Sequence, residues 1–258
     1  MNSNKAFLCY KNPIKSMKVE ILKSLNHSLN KRRDSQIQFI IIHYTGMQSE
    51  GESIERLTDK KSKVSAHYLI NRKGHIIKMV QENKVAWHAG KSRWKNFINL
   101  NSHSIGIELV NKGHRFGYEN FSKKQINKLL LLCKFLTKKY KIKQSNILGH
   151  SDVAPLRKID PGEKFPWKLF YKKKNDYQHH TNKKSNKIFN LKKTNLRNYF
   201  FNNLFKIGYR YFDKRKPSSL DSKIIKAFQR RFRQNKVNGK IDKECLQISH
   251  FLTYSLKN

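Results

Sequence analysis

Apolar residues gather in two stretches, from about residue 37 to 170 and again after about residue 191, and their spacing separates strand from helix within each. Gln38–Gly46, QFIIIHYTG, is a short β-branched run closed by Thr-Gly, the pattern of a buried strand. Glu52–Lys61 has a helical pattern. Ala66–Ile70, the turn Asn71-Arg72-Lys73-Gly74 and His75–Val80 predict a β-hairpin. Ser104–Val110, SIGIELV, is a further strand. Ser122–Tyr140 predicts a helix, with a serine start and Ile126, Leu129, Leu130, Leu132, Cys133 and Leu136 on a 3.6-residue period. Asn146–Leu148 is a brief strand leading into GHSD. Strands interleaved with helices predict an α/β fold, a central mixed β-sheet flanked by helices.

Residues 1–35 are polar and basic, a flank in which one helix is expected near Met17–Leu29. Tyr171–Asn190, YKKKNDYQHHTNKKSNKIFN, lacks apolar periodicity and reads as a charged linker, its His179-His180 pair solvated. Three helical signals follow. Asn195–Ile207 ends at Gly208; Ser219–Phe232 carries Ile224, Phe228 and Phe232 at i, i+4 and i+8; the third starts from Asp242 as N-cap and runs to Leu252. The expected organisation is a basic flank (1–35), an α/β domain (36–170), a linker (171–190) and a small C-terminal three-helix domain (191–258), without internal repeats.

Only 37% of the 258 residues are hydrophobic, which fits a chain part of which is linker or flank. Its 56 Lys+Arg against 17 Asp+Glu give a formal charge of +39. That excess suits a polyanionic partner, yet the basic residues are scattered rather than striped, as compositional drift would leave them. No recognisable nucleic-acid-binding module accompanies the charge, and no nucleic acid partner is expected. Cys9, Cys133 and Cys245 are odd in number, far apart and without a CxxC, which argues against a disulfide framework and a thiolate zinc cluster. No window approaches the ~18 apolar residues of a membrane span. The start, MNSNKAFLCYKNPIK, has an apolar patch too short for the h-region of a signal peptide.

Three positions stand out chemically. His43 ends the first strand, His150 follows Leu148-Gly149, and Asp160 precedes Pro161-Gly162. Two imidazoles and a carboxylate match three corners of a tetrahedral zinc ion, with water at the fourth. With eleven histidines in the chain, spacing alone does not single out this set. Period-two alternation in SIGIELV puts Ile105, Ile107 and Leu109 on one face and Glu108 with Gly106 on the other. A glutamate near the middle of an apolar strand is costly without a partner or a task.

GHSDVAPLRKIDPG, residues 149–162, closely resembles the zinc-binding signature of the N-acetylmuramoyl-L-alanine amidases, in the superfamily shared with phage amidase lysozymes and peptidoglycan recognition proteins. IIHYTG, VSAHYLINRKGHIIKMV, AWHAGKSRW and NSHSIGIELVN resemble the same family's other blocks in the same order, so the resemblance covers about residues 37–170. It implies zinc ligation by His43, His150 and Asp160 and catalytic roles for Glu108 and Lys158. Glu108 would take a proton from the attacking water and deliver one to the leaving amine, and Lys158 would stabilise the oxyanion. Arg157 is a candidate for a stem-peptide carboxylate, and Trp87, His88 and Tyr68 are candidates to line the substrate cleft, with a buried structural role equally open for Trp87 and His88. Asp152 reads either as support behind a metal ligand or, the preferred reading, as a helix cap.

AFQRRFRQNKVNGKIDKECLQISHFL, residues 227–252, resembles the three-helix peptidoglycan-binding domain that often follows amidases of this family. The resemblance implies hydrolysis of the amide between the lactyl group of N-acetylmuramic acid and L-alanine, on peptidoglycan or a muropeptide. A non-catalytic peptidoglycan receptor on the same fold is the competing reading. The sequence leaves the compartment open between the cytoplasm, from the start of the chain, and the periplasm or envelope, from the two-domain resemblance.

Overall fold

A computed structural model describes residues 7–9, 17–170 and 193–255. The chain divides into two compact units, Met1–Lys91 with Asn99–His150, and Ser92–Ile98 with Ser151–Asn258. The expected linker and its His179-His180 pair lie outside the described residues.

The first unit is built on a seven-stranded mixed sheet. Its strands are β1 (Phe7–Cys9), β2 (Lys18–Ile21), β4 (Phe39–Tyr44), β5 (Tyr68–Ile70), β6 (Ile76–Lys78), β10 (Ser104–Leu109) and β11 (Ile147–Gly149), in the spatial order β1-β2-β6-β5-β10-β4-β11. A short pair, β3 (His27–Lys31) with β7 (Lys84–Ala86), lies beside it in sequence but forms a separate ribbon. β5 and β6 form the expected antiparallel hairpin, while β4 runs parallel to both β10 and β11. Parallel strands buried on both faces need continuous apolar runs. β4 supplies one, with Ile40, Ile41 and Ile42 fully buried.

Helix α1 (Glu50–Thr58) starts at Ser49, whose hydroxyl accepts from the Glu52 amide. It seats Ile54 and Leu57 on Ala66, Leu69, Ile77, Met79 and Val110. Each such side chain contributes about 1.5–3 kcal/mol by leaving water. Helix α2 (Lys123–Tyr140) is N-capped by Ser122 as the sequence predicts, and buries Ile126, Leu129, Leu132, Cys133 and Leu136. Its buried Gln125 donates to the carbonyls of Ile70 and Val110, satisfying acceptors just past two strands.

The helix expected over Met17–Leu29 is replaced by strands. Val19 pairs with Ile76 in the main sheet. The segment's leucines bury no helical face, since Leu25 is 59% and Leu29 88% exposed. Buried polar side chains decide the path instead: Ser24 donates to the Leu57 carbonyl, and the Asn26 amide to the carbonyls of Asp59 and Val64.

The second unit joins a two-stranded hairpin, β8 (Arg93–Trp94) with β9 (Phe97–Ile98), to the stretch after His150 and to three helices. That stretch opens with the one-turn helix α3 (His150–Val153), and the others are α4 (Lys193–Ile207), α5 (Asp221–Phe232) and α6 (Lys243–Ser255). All three predicted C-terminal helices are present. Phe200, Phe201, Tyr209 and Phe228 are fully buried between them. α4 stops at Gly208, whose φ of 144° suits glycine and whose missing side chain leaves room for the Trp94 ring. Gln229 of the AFQ run is fully buried and braces the following turn: it accepts from the amides of Asn238 and Gly239 and donates to the Lys240 carbonyl. Asp242 accepts from the Cys245 amide, the N-cap expected of it. Among the described residues no helix is long and apolar enough to cross a membrane.

Candidate active site

Strand register builds the site. In the parallel pair β10–β4, Glu108 lies beside His43, and in β11–β4, Gly149 lies beside Ile42. The next residue after Gly149 therefore falls beside the next after Ile42, which brings His150 to His43. Their Nδ1 atoms are 2.9 Å apart, the rings are edge to face, and both residues are buried. His150 Nε2 lies 3.1 Å from the Ala89 carbonyl. A carbonyl only accepts, so Nε2 donates to it, and Nδ1 is the nitrogen turned toward His43.

His43 Nε2 meets Nδ1 of His88 at 3.0 Å, and His88 Nε2 lies 3.3 Å from the Ser104 hydroxyl. Burial holds the His88 imidazole well below its ordinary pKa, helped by His43, His67, His150 and the Arg32 guanidinium. Its ring lies against Gly106. A Cβ there would come within 2.3 Å of the ring, so the β10 glycine is what admits His88. The loop before it is fixed by Asn101, which accepts from the amides of His88 and Ala89.

Asp160 is buried, and its carbonyl accepts from the Ser151 amide. Among the described residues His43, His150 and Asp160 form a group able to hold a metal ion: each offers one ligand atom, and these atoms lie within 4.8 Å of one another. Around tetrahedral zinc, with bonds of ~2.0–2.2 Å, ligand atoms sit about 3.3 Å apart. Two imidazole nitrogens and one carboxylate oxygen, all shielded from bulk water, are a donor set that fits this ion.

The remaining predicted residues fall in different places. Glu108 is half-buried on the His43 face of the sheet. Lys158 is half-buried and Arg157 exposed, with the amides of both donating to the Ala154 carbonyl. Trp87 is half-buried, its amide on Ser65 and its indole N–H on Ser28. Two of the expected cleft residues need correction. Tyr68 is fully buried and its hydroxyl donates to Glu82, which is also paired with Lys78, so it belongs to the core. His88 is buried behind His43 rather than open to a groove. Asp152 is not a helix cap: it is buried and accepts from the Tyr209 hydroxyl at 2.6 Å and from Arg231 at 2.7 Å. Sequence reasoning missed Ser104 and the role of Asp152, since a serine opening a strand and an acid in a short helix have innocuous local readings.

A family profile described as N-acetylmuramoyl-L-alanine amidase matches residues 33–163. The amidase AmiD of Escherichia coli is 39% identical over 164 residues, 57% of this chain and 58% of AmiD. The 1,6-anhydro-N-acetylmuramyl-L-alanine amidase AmpD of Haemophilus influenzae is 40% identical over 109 residues, 42% of this chain and 57% of AmpD. These alignments thus span a little under three fifths of each curated relative. Two solved structures resemble the chain over more of its length. AmpDh3 of Pseudomonas aeruginosa gives a TM-score of 0.75 at 28% identity, covering 86% of this chain and 93% of that one. AmiD in complex with the substrate anhydro-N-acetylmuramic acid-L-Ala-D-γ-Glu-L-Lys gives 0.71 at 30% identity, covering 88% and 92%. With more than half its length matched by one family profile and its mixed sheet shared with these amidases, the chain belongs to the N-acetylmuramoyl-L-alanine amidase family.

Proposed function

We propose that this protein is a zinc-dependent N-acetylmuramoyl-L-alanine amidase, cleaving the amide between the lactyl group of N-acetylmuramic acid and the L-alanine of a stem peptide. The observation that carries the reading is the group of His43, His150 and Asp160, three buried residues whose ligand atoms lie within 4.8 Å of one another. The substrate class rests on the relatives, since AmiD was captured with an anhydro-muramoyl tripeptide and AmpDh3 with an anhydromuramic pentapeptide. Muropeptide recycling or cell-wall turnover is the corresponding process.

In this reading His43, His150 and Asp160 hold the ion. A zinc ion held there would supply Lewis acidity, toward water and toward the amide carbonyl. Glu108, next to His43 in the sheet, takes the proton of the attacking water and returns one to the departing nitrogen. The products are a lactyl carboxylate and a free L-alanine amine, so atoms and protons balance without a further reactant. Lys158 stabilises the oxygen that becomes negative, and Arg157, exposed beside it, holds a stem-peptide carboxylate. Residues 36–170 form the catalytic domain in this proposal, and the helices of 191–258 tether the enzyme to peptidoglycan, raising its concentration at the bond. Support for the tether is the likeness to AmiD and AmpDh3, which extends over 88% and 86% of the chain, well beyond residues 33–163.

Metal analysis of the purified protein tests the proposal. One zinc per chain is expected, with hydrolysis of a muropeptide abolished by chelator and restored by zinc. Hydrolysis that persists in zinc-free protein would refute the zinc-dependent mechanism.

A further inference from the structure

The hydrogen bonds behind His43 can be ordered by donor and acceptor, starting from the Leu100 carbonyl. The Ser104 hydroxyl lies 2.5 Å from the Leu100 carbonyl and must donate to it, because a carbonyl only accepts. That uses the single proton of Ser104. Its oxygen therefore accepts from His88 Nε2, 3.3 Å away. With Nε2 donating to Ser104, His88 turns its other nitrogen, Nδ1, to His43 Nε2 at 3.0 Å as the acceptor. His43 then donates from Nε2, and Nδ1 is the nitrogen it turns to the other side. Nδ1 is the atom that lies 2.9 Å from Nδ1 of His150, whose Nε2 donates to the Ala89 carbonyl.

We infer that His88 is a positioning residue: through the relay Leu100–Ser104–His88 it fixes the tautomer and ring angle of His43 so that Nδ1 is presented as a metal ligand. The inference rests on the zinc reading above and assigns His88 a task behind the ligand, away from substrate. The two Nδ1 atoms face one another at 2.9 Å, on the side where the proposed ion would be held. The relay keeps both in this orientation by giving the opposite nitrogens partners that accept. Gly106 is part of the device, since any larger residue would push the His88 ring off its place. Partners of this kind orient metal-bound imidazoles in general, and losing one typically weakens metal binding about 10–100-fold.

The test compares zinc affinity, by competition with a chromophoric chelator, in the full chain and in three variants. His88→Leu keeps bulk but removes the acceptor; the expected loss is about 10–100-fold. His88→Asn offers a carbonyl oxygen near the position of Nδ1, and most of the affinity is expected back. Ser104→Ala leaves His88 in place but releases its tautomer, and several-fold weaker binding is expected. Melting of the zinc-free proteins is recorded alongside. Unchanged zinc affinity in His88→Leu overturns the inference. So do equal losses in His88→Leu and His88→Asn that track a fall in zinc-free melting temperature, which would make His88 a packing residue only. If the unsubstituted protein binds no zinc, the ligand assignment itself fails and takes this inference with it; if it binds zinc and only the variants behave otherwise, the ligand assignment stands alone.

Discussion

Glu108 and His43 are direct neighbours across the parallel strands β10 and β4, side by side on one face of the sheet. The glutamate is therefore held by main-chain pairing next to a candidate metal ligand, with no flexible loop between them. For Glu108→Gln, which keeps shape and removes basicity, turnover of a muropeptide is expected to fall about 10²–10⁴-fold. Zinc content should stay at the level of the parent. Steady-state kinetics with metal analysis on the same preparation checks both.

His150→Ala removes one of the three proposed ligands. The purified variant should carry little zinc and hydrolyse muropeptide at the background rate. Zinc should also stabilise the parent and not the variant: at a free concentration 100 times the dissociation constant, a single site adds about 2.7 kcal/mol. Thermal melting with and without chelator reads this difference directly.

Much of the first unit was legible because its signals are local. The run Ile40–Ile42, the serine before α2 and the turn between β5 and β6 each name their element, and the structure has all three. The proximity of His43 and His150 is 107 residues apart in sequence and is produced by the pairing of β11 with β4, which no local pattern announces. Met17–Leu29 misled for the opposite reason: its leucines have helical spacing, but the buried amide of Asn26 and the pairing of Val19 override that preference. His88 and Tyr68 belong to motifs that suggest a cleft, and only their burial and partners show what they touch.

The second unit depends on a buried ion pair. Arg231 reaches Asp152 at 2.7 Å, both are nearly inaccessible, and the guanidinium also lies over the Trp167 ring. Arg231→Met leaves the carboxylate buried without its cation, and a loss of about 3–5 kcal/mol is expected. Adding Asp152→Asn to that variant should recover part of it, because the charge is then gone as well. Urea denaturation of the single and double variants measures the recovery.

His67 predicts an acid-side loss of stability. Burial, and then the nearby Arg32 guanidinium, lowers its pKa from the ordinary 6.5 to about 3. Between those values the unfolded chain binds a proton that the folded chain refuses. The stability contributed by the neutral imidazole is thus complete above about pH 6.5 and is lost as pH falls toward about 3. The urea midpoint of the parent should drop between pH 7 and pH 4 more steeply than that of His67→Asn. Parallel slopes would show that other groups carry the pH dependence.

Incubating the zinc-loaded protein with a purified anhydro-muramoyl peptide and identifying the products by mass spectrometry tests the central claim most directly. The account predicts a free stem peptide beginning with L-alanine and a sugar that retains its lactyl carboxylate. Intact muropeptide after prolonged incubation with protein shown to hold one zinc per chain, or cleavage at a bond within the peptide, would contradict it.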